Sequence, residues 1–141
     1  MIPVFHERIP SISAISSMFY EIRDQSHAAE QYGLLLVAGP GYRKALEHLV
    51  KDYVASRHTD ESTKKSVFKN PKLVEVIRMV GDKRIEDVAT RAAWLGNDET
   101  HYDRKWESHD ISHLKKLITL TERFIASQLE ADEMIASMPK T

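Results

Sequence analysis

ISHLKKLITLTERFIASQL, residues 111–129, decides the fold class. Its Ile111, Leu114, Leu117, Ile118, Thr121, Phe124, Ile125 and Leu129 recur every three or four positions, the period of one helix face rather than the alternation of a strand. Asp110 precedes them, where a short acidic side chain accepts hydrogen bonds from the free N–H groups of a first helical turn. A long final helix beginning after Asp110 is predicted.

The same period continues upstream. Ile85, Val88, Ala89, Ala92 and Leu95 form a stripe that Asp82 caps and that Gly96-Asn97 is expected to stop. Asn70-Pro71 and Gly81 bracket a short helix over 71–80, with Asn70 as its cap. Tyr42, Ala45, Leu46, Leu49, Val50 and Tyr53 define a helix from about Pro40 to Ser56. Pro40 suits a first turn or a kink in a longer helix that begins near Leu34. Ile15, Met18, Phe19, Ile22 and Ala29 mark a first helix over 11–32. HTDESTKKSVFK, residues 58–69, keeps no period and reads as a connection with at most a short helical turn. With no alternating segment and no repeat, the chain reads as an all-α bundle of four or five helices.

At 141 residues the chain is long enough for one domain with a substantial core. Its 42% hydrophobic and 29% charged content excludes a disordered or low-complexity chain. The absence of Cys excludes disulfides, thiolate catalysis and iron–sulfur clusters, and fits a reducing compartment. The longest apolar run, Leu34 to Ala38, is far below the ~20 residues of a spanning helix, and MIPVFHERIP lacks the order of a signal peptide. A soluble, cytoplasmic protein without membrane association is expected.

The net charge of −1 is a cancellation. Residues 64–84 carry seven cations, among them Lys64, Lys65, Lys69 and Lys72, against Glu75 and Asp82, a local +5. Residues 95–113 carry a local −3. The four lysines are candidate nucleic-acid contacts, although such a run also suits a solvated face.

GNDETHYDRKWESHD, residues 96–110, is the densest polar cluster. His101, His109 and His113 with Asp98 or Asp103 supply possible metal ligands, but neither HExxH nor a paired ExxH appears, and no metal or cofactor is expected. His101 is also a candidate base for metal-independent RNA cleavage, with Arg91 or Arg104 as the cation that stabilises the attacked phosphate. The structural alternative makes Asn97, Asp98 and Thr100 helix caps, with His101 and Tyr102 closing the bundle end. Trp94, Trp106 and Tyr102 are candidate interface anchors.

GYRKALEHLVKDY (41–53) and RAAWLGNDETHYDRKWESHDISHLKKLITL (91–120), in this order and separation, resemble an uncharacterised bacterial and phage branch of the HEPN superfamily, the higher eukaryotes and prokaryotes nucleotide-binding domains. The resemblance spans about residues 11–130. It implies an up-and-down helical bundle that commonly forms homodimers. The sequence itself reads as an N-terminal extension over 1–10, one helical domain over 11–137 and a frayed tail over 138–141. Catalytic members of that superfamily are metal-independent ribonucleases with an Arg, a polar residue and a downstream His. Asn97 and His101 match the last two, and Gly96 stands where the Arg belongs. Loss of one preorganised transition-state donor typically slows a reaction by about 10²–10³. The resemblance therefore implies a binding or dimerisation module in bacterial or phage genetic conflict, acting on a protein partner or RNA, without efficient catalysis. A ribonuclease using His101 with Arg91 or Arg104, and a phage inhibitor of a host defence enzyme, are the alternatives. Arg43 and Glu47 match a recurrent pair of the family.

Overall fold

A computed structural model describes residues 7–101 and 110–140. Every regular element among them is helical: α1 (Pro10–Ile15), α2 (Ser17–Gln31), α3 (Leu35–Ser56), α4 (Glu61–Lys69), α5 (Leu73–Ile77), α6 (Lys83–Thr100) and α7 (Ile111–Ser137). The all-α expectation holds. Four long helices make the bundle and three short ones fill its edges. None of the described helices is long and apolar enough to cross a membrane.

Helix α3 is central, packed against α2 on one side and α6 on the other, while α6 also packs against α7. The apolar face read from Tyr42 through Tyr53 is buried throughout, and meets Phe19, Ile85, Ala89, Leu114 and Ile125 in one core. Helices α2 and α3 form a hairpin whose turn is fixed by Gly33 at φ 76°. Gly33 N–H donates to the Glu30 carbonyl (2.9 Å) and Leu34 N–H to the Ala29 carbonyl (2.8 Å), the paired bonds of a Schellman C-cap.

Several boundaries differ from those the periodicity suggests. The first helix breaks at Ser16, whose non-helical backbone (φ −148°, ψ 67°) separates α1 from α2 and whose hydroxyl donates to Asp52 Oδ2 at 2.5 Å. Met18, placed on the apolar face, is instead exposed, and Tyr20 takes the core position. The Tyr20 hydroxyl donates to buried Glu122 (2.6 Å) and accepts from Ile9 N–H (2.8 Å), so a polar tip ties α2 to α7. Helix α3 starts at Leu35 and runs through Pro40, the longer of the two alternatives. The first turn of α3 is held by Val37 and Ala38 N–H on the Leu34 carbonyl.

Residues 61–69 are a helix, not a connection; it buries only Val67, so it shows no stripe, and Asp60 caps it through Thr63 N–H. The short helix contracts to Leu73–Ile77 because Asn70 Oδ1 accepts from Lys72 N–H (2.8 Å) in a local turn before the helix begins. Gly81 closes the segment at φ 78°, as expected. Helix α6 does not stop at Gly96-Asn97. Gly96 has no positive φ, and the helix continues to Thr100. Asp82 and Asp110 cap α6 and α7 as read, and His113 Nδ1 accepts from Asp110 N–H (3.1 Å) to complete a capping box.

At Asp52 burial outweighs the groups that favour the charged form: desolvation raises its pKa, offset in part by the Ser16 hydrogen bond and by His48. A raised native pKa means that this group's stabilisation is present below the unfolded carboxyl pKa, about 3.9, and is lost as pH rises through the native value. Asp52→Asn keeps an acceptor for Ser16 without the ionisation. Its stability relative to wild type, measured by urea unfolding from pH 3 to 7, should increase with pH and then level off; a difference independent of pH would contradict this account.

Candidate functional site

The site is built where α6 crosses α3. Gly96 faces Arg43, and a Cβ placed on Gly96 would lie 2.6 Å from Arg43 Cγ and 2.9 Å from its Cβ. The Arg43 side chain thus fills the space that a side chain at position 96 would need. From there its Nε reaches Asn97 Oδ1 at 3.4 Å and its Nη1 donates to Glu47, one turn along α3. Glu47 also meets Lys51 Nζ (3.5 Å), which donates to the Phe68 carbonyl at the end of α4 (3.1 Å). Burial pushes the Glu47 carboxyl up in pKa, but the Arg43 hydrogen bond and the charges of Arg43 and Lys51 outweigh it and hold the group below its ordinary value. Arg43 and Glu47 are therefore an ion pair that touches the Asn97 amide.

A cleft of about 420 Å³ opens beside this pair, lined by Arg43, Lys72, Glu75, Arg78, Asn97 and His101. Its cationic wall comes from the residues around α5, brought opposite the end of α6 by burial of Leu73, Val76 and Ile77. Lys72 Nζ lies 3.8 Å from Glu75, an exposed contact of little strength. Arg78 makes no ion pair among the described residues. His101 caps α6 through its backbone N–H on the Asn97 carbonyl (3.1 Å), and its side chain is exposed. Three cations, an amide and an imidazole thus face one cleft against one lining carboxylate, a donor set suited to an anion with several acceptor oxygens.

The other predicted residues are distributed more widely. Arg91 does not line this cleft. Its Nη1 donates to the Asp87 carbonyl (2.9 Å), and its guanidinium lies 5.6 Å from the Trp94 ring centre. Both line a groove between α6 and α7, where Trp94 remains 39% exposed. Lys65 and Lys69 flank a shallow depression on α4, and Lys64 lies 4.0 Å from Glu61. Of the basic stretch, Lys72 and Arg78 reach the cleft. Arg104, Trp106 and Tyr102, with His109 and Asp103, fall outside the described residues. Among the described residues no three His, Asp or Glu side chains are placed to share a metal ion.

Two features escaped the sequence reading. Arg43 was read with Glu47 as a structural pair facing residues 96–101, but its contact with Gly96 was not, because nothing local links two positions 53 apart. The apolar run Leu34–Val37 points outward, with Leu36 94% exposed beside Tyr32. A second polar hollow, lined by Arg23, His27, Tyr42, Lys115 and Glu122, is internally neutralised: Arg23 meets Glu122 (3.5 Å), while Lys115 Nζ and the Tyr42 hydroxyl meet Glu30 (3.1 and 2.8 Å).

In an unconstrained helix Gly→Ala gains about 1 kcal/mol, whereas overpacking costs about 1–3 kcal/mol. At Gly96 the opposing atoms are near the root of Arg43, where a rotamer change gives little relief. Gly96→Ala should therefore lower the urea midpoint, with a net loss of ~1 kcal/mol in unfolding free energy; a variant stabilised by the full helical gain would refute the packing. Comparison of the chain with protein-family models, with curated proteins and with solved structures finds no match.

Proposed function

We propose that the chain is a HEPN-like helical module of bacterial or phage genetic conflict that binds the phosphate backbone of RNA in the Arg43–Asn97–His101 cleft, without efficient cleavage. The observation that carries this reading is the convergence of Arg43, Lys72 and Arg78 on the two residues, Asn97 and His101, that match the superfamily motif. Catalysis is weak in this reading because Arg43 is held by Glu47 and Asn97. Its charge is already compensated before any phosphate arrives, so little is left to favour a transition state over a bound ground state.

Salt dependence is the direct test. Each phosphate contact to a single strand contributes about 0.7 to the slope of log affinity against log salt. Lys72→Gln with Arg78→Gln, both at exposed positions, should weaken binding to a single-stranded RNA and reduce that slope by about 1.4. Association that ignores salt and both substitutions would overturn the phosphate cleft and indicate a protein partner.

The placement of Arg43 over Gly96 favours one second reading. A cation from α3 occupies the space of the missing motif Arg, so His101 would take the ribose 2′-hydroxyl proton while Arg43 faces the attacked phosphate. Wild type and His101→Ala, incubated with RNA in EDTA, decide between the two: cleavage lost in the variant establishes the ribonuclease, and equal inactivity removes it.

The resemblance also carries a homodimer. The outward-facing Tyr32 and Leu34–Val37 support self-association, because contiguous exposed apolar side chains of this kind mark interaction surfaces. Leu36→Glu should shift the mass measured by light scattering at micromolar concentration toward monomer; a wild type already monomeric there would remove the dimer.

A further inference from the structure

We propose that two copies of this chain exchange the ends of their last helices, the final turns of α7 in each lying on α4 of the other. Lys115 lies over the Tyr42 ring and Asp132 meets Arg57, so α3 and α7 run parallel, and Arg57 is the residue that caps the end of α3. Helix α7 continues past that pair to Ser137, and every residue from 133 to 138 is exposed. The buried stripe of Leu114, Ile118, Thr121 and Ile125 continues by its own period to Leu129, Asp132 and Ala136. Met134, Ile135 and Met138 lie off that stripe, with Ile135 70% and Met138 72% exposed, so the core of the bundle does not account for them. The whole of α7, about 40 Å of helix, separates this end from residues 102–109.

The complement of this tail is carried by the same chain. Glu130 and Glu133, exposed beside Met134, make no ion pair among the described residues, and neither do Lys65 and Lys69 of α4. Those two lysines line a depression of about 550 Å³ with Ser62 and Ser66, and Phe68, 50% exposed, adjoins Lys69. Helix α4 begins four residues after Arg57 and turns back along α3, since Lys51 Nζ donates to the Phe68 carbonyl. The tail and α4 thus share one end of the bundle, the tail pointing outward and α4 running back. A two-fold axis at that end lays each tail along the other copy's α4 and closes the pair. Glu130 and Glu133 then face Lys65 and Lys69, and the thioethers reach Phe68. Pairing tail against tail would instead bring carboxylates together. One contact of two helical turns is small beside the ~1,200 Å² of a stable interface, and the exchange makes it twice. The Leu34–Val37 run lies at the opposite end of α3, and none of these residues lines the Arg43 cleft, so both earlier readings are independent of this one.

The test uses the full chain carrying Leu36→Glu, so that the start of α3 does not contribute, in two charge-reversed forms: Glu130→Lys with Glu133→Lys, and Lys65→Glu with Lys69→Glu. All four positions are exposed, and folding is checked by helical circular dichroism. Sedimentation up to several hundred micromolar should show the parent self-associating more weakly as salt rises, and each reversed form associating about tenfold more weakly than the parent. An equimolar mixture of the two forms should recover the parent's strength, because both exchanged contacts then pair opposite charges. Met134→Ala with Met138→Ala, which leaves every charge in place, should also weaken association. A parent that stays monomeric throughout overturns the exchange. So does a Lys65→Glu with Lys69→Glu form that associates as the parent does, the result expected of a tail-to-tail pair, and so does a mixture that fails to recover. If that α4 form loses affinity for single-stranded RNA while its self-association is unchanged, α4 is a nucleic-acid face and the proposal fails.

Discussion

The seating of α3 between α2 and α6 is the constraint on which the rest of the molecule depends, and it is set by positions without side chains. Gly41 leaves room for Ser26 of α2, Gly39 for Glu99 of α6, and Gly96 on α6 leaves room for Arg43 of α3. Each glycine weakens its own helix by up to about 1 kcal/mol relative to Ala, and close-packed neighbours offset that cost. The third of these contacts also has a chemical product. By admitting Arg43, Gly96 brings a guanidinium from one helix against the Asn97 amide of another, and Glu47 compensates the charge that this approach removes from water. A side chain at position 96 would displace the cation that now meets Asn97.

Charge is arranged by the same logic. The chain's net −1 conceals a sharp local separation. The central α3 ladder of Arg43, Glu47 and Lys51 is largely self-compensating and ends on a backbone carbonyl of α4, so it fastens α4 to the core. Outside the ladder, Lys72 and Arg78 bring part of the basic stretch to the cleft that Arg43 also lines, while the α4 lysines remain on an outer face.

The buried faces of α3, α6 and α7 were legible because one hydrophobic pattern served one partner surface: Tyr42 through Tyr53, and Leu114 through Ile125, are buried as their spacing requires. Caps at Asp82 and Asp110 were equally legible, since each acts within three residues. The misreadings share a cause. Glycine was taken at Gly96 as a terminator, whereas its function there is proximity, a property of a residue 53 positions away. Helix α4 buries a single side chain and so carries no period to read. The α1–α2 break depends on Ser16 meeting Asp52, and Tyr20 enters the core only because Glu122 accepts its hydroxyl. At the site, Asn97 and His101 were singled out through the resemblance, with Arg91 or Arg104 as the cation; Arg91 does not line the cleft, Arg104 lies outside the described residues, and the fold brings Arg43 to Asn97.

Pro40 has a consequence for the start of α3. It has no N–H, so the Leu36 carbonyl lacks the donor that a regular helix would supply four residues on. The Leu34 carbonyl accepts from Val37 and Ala38 N–H in this turn, whose side chains at 35–37 reach water rather than the core. Opening this single turn breaks few contacts, so its amides exchange with solvent by a local excursion far cheaper than global unfolding. An exposed apolar run thus rides on the turn that Pro40 leaves one hydrogen bond short. A partner seated there meets a segment that can adjust its backbone without disturbing Tyr42, Ala45 and the packed length of α3 beyond.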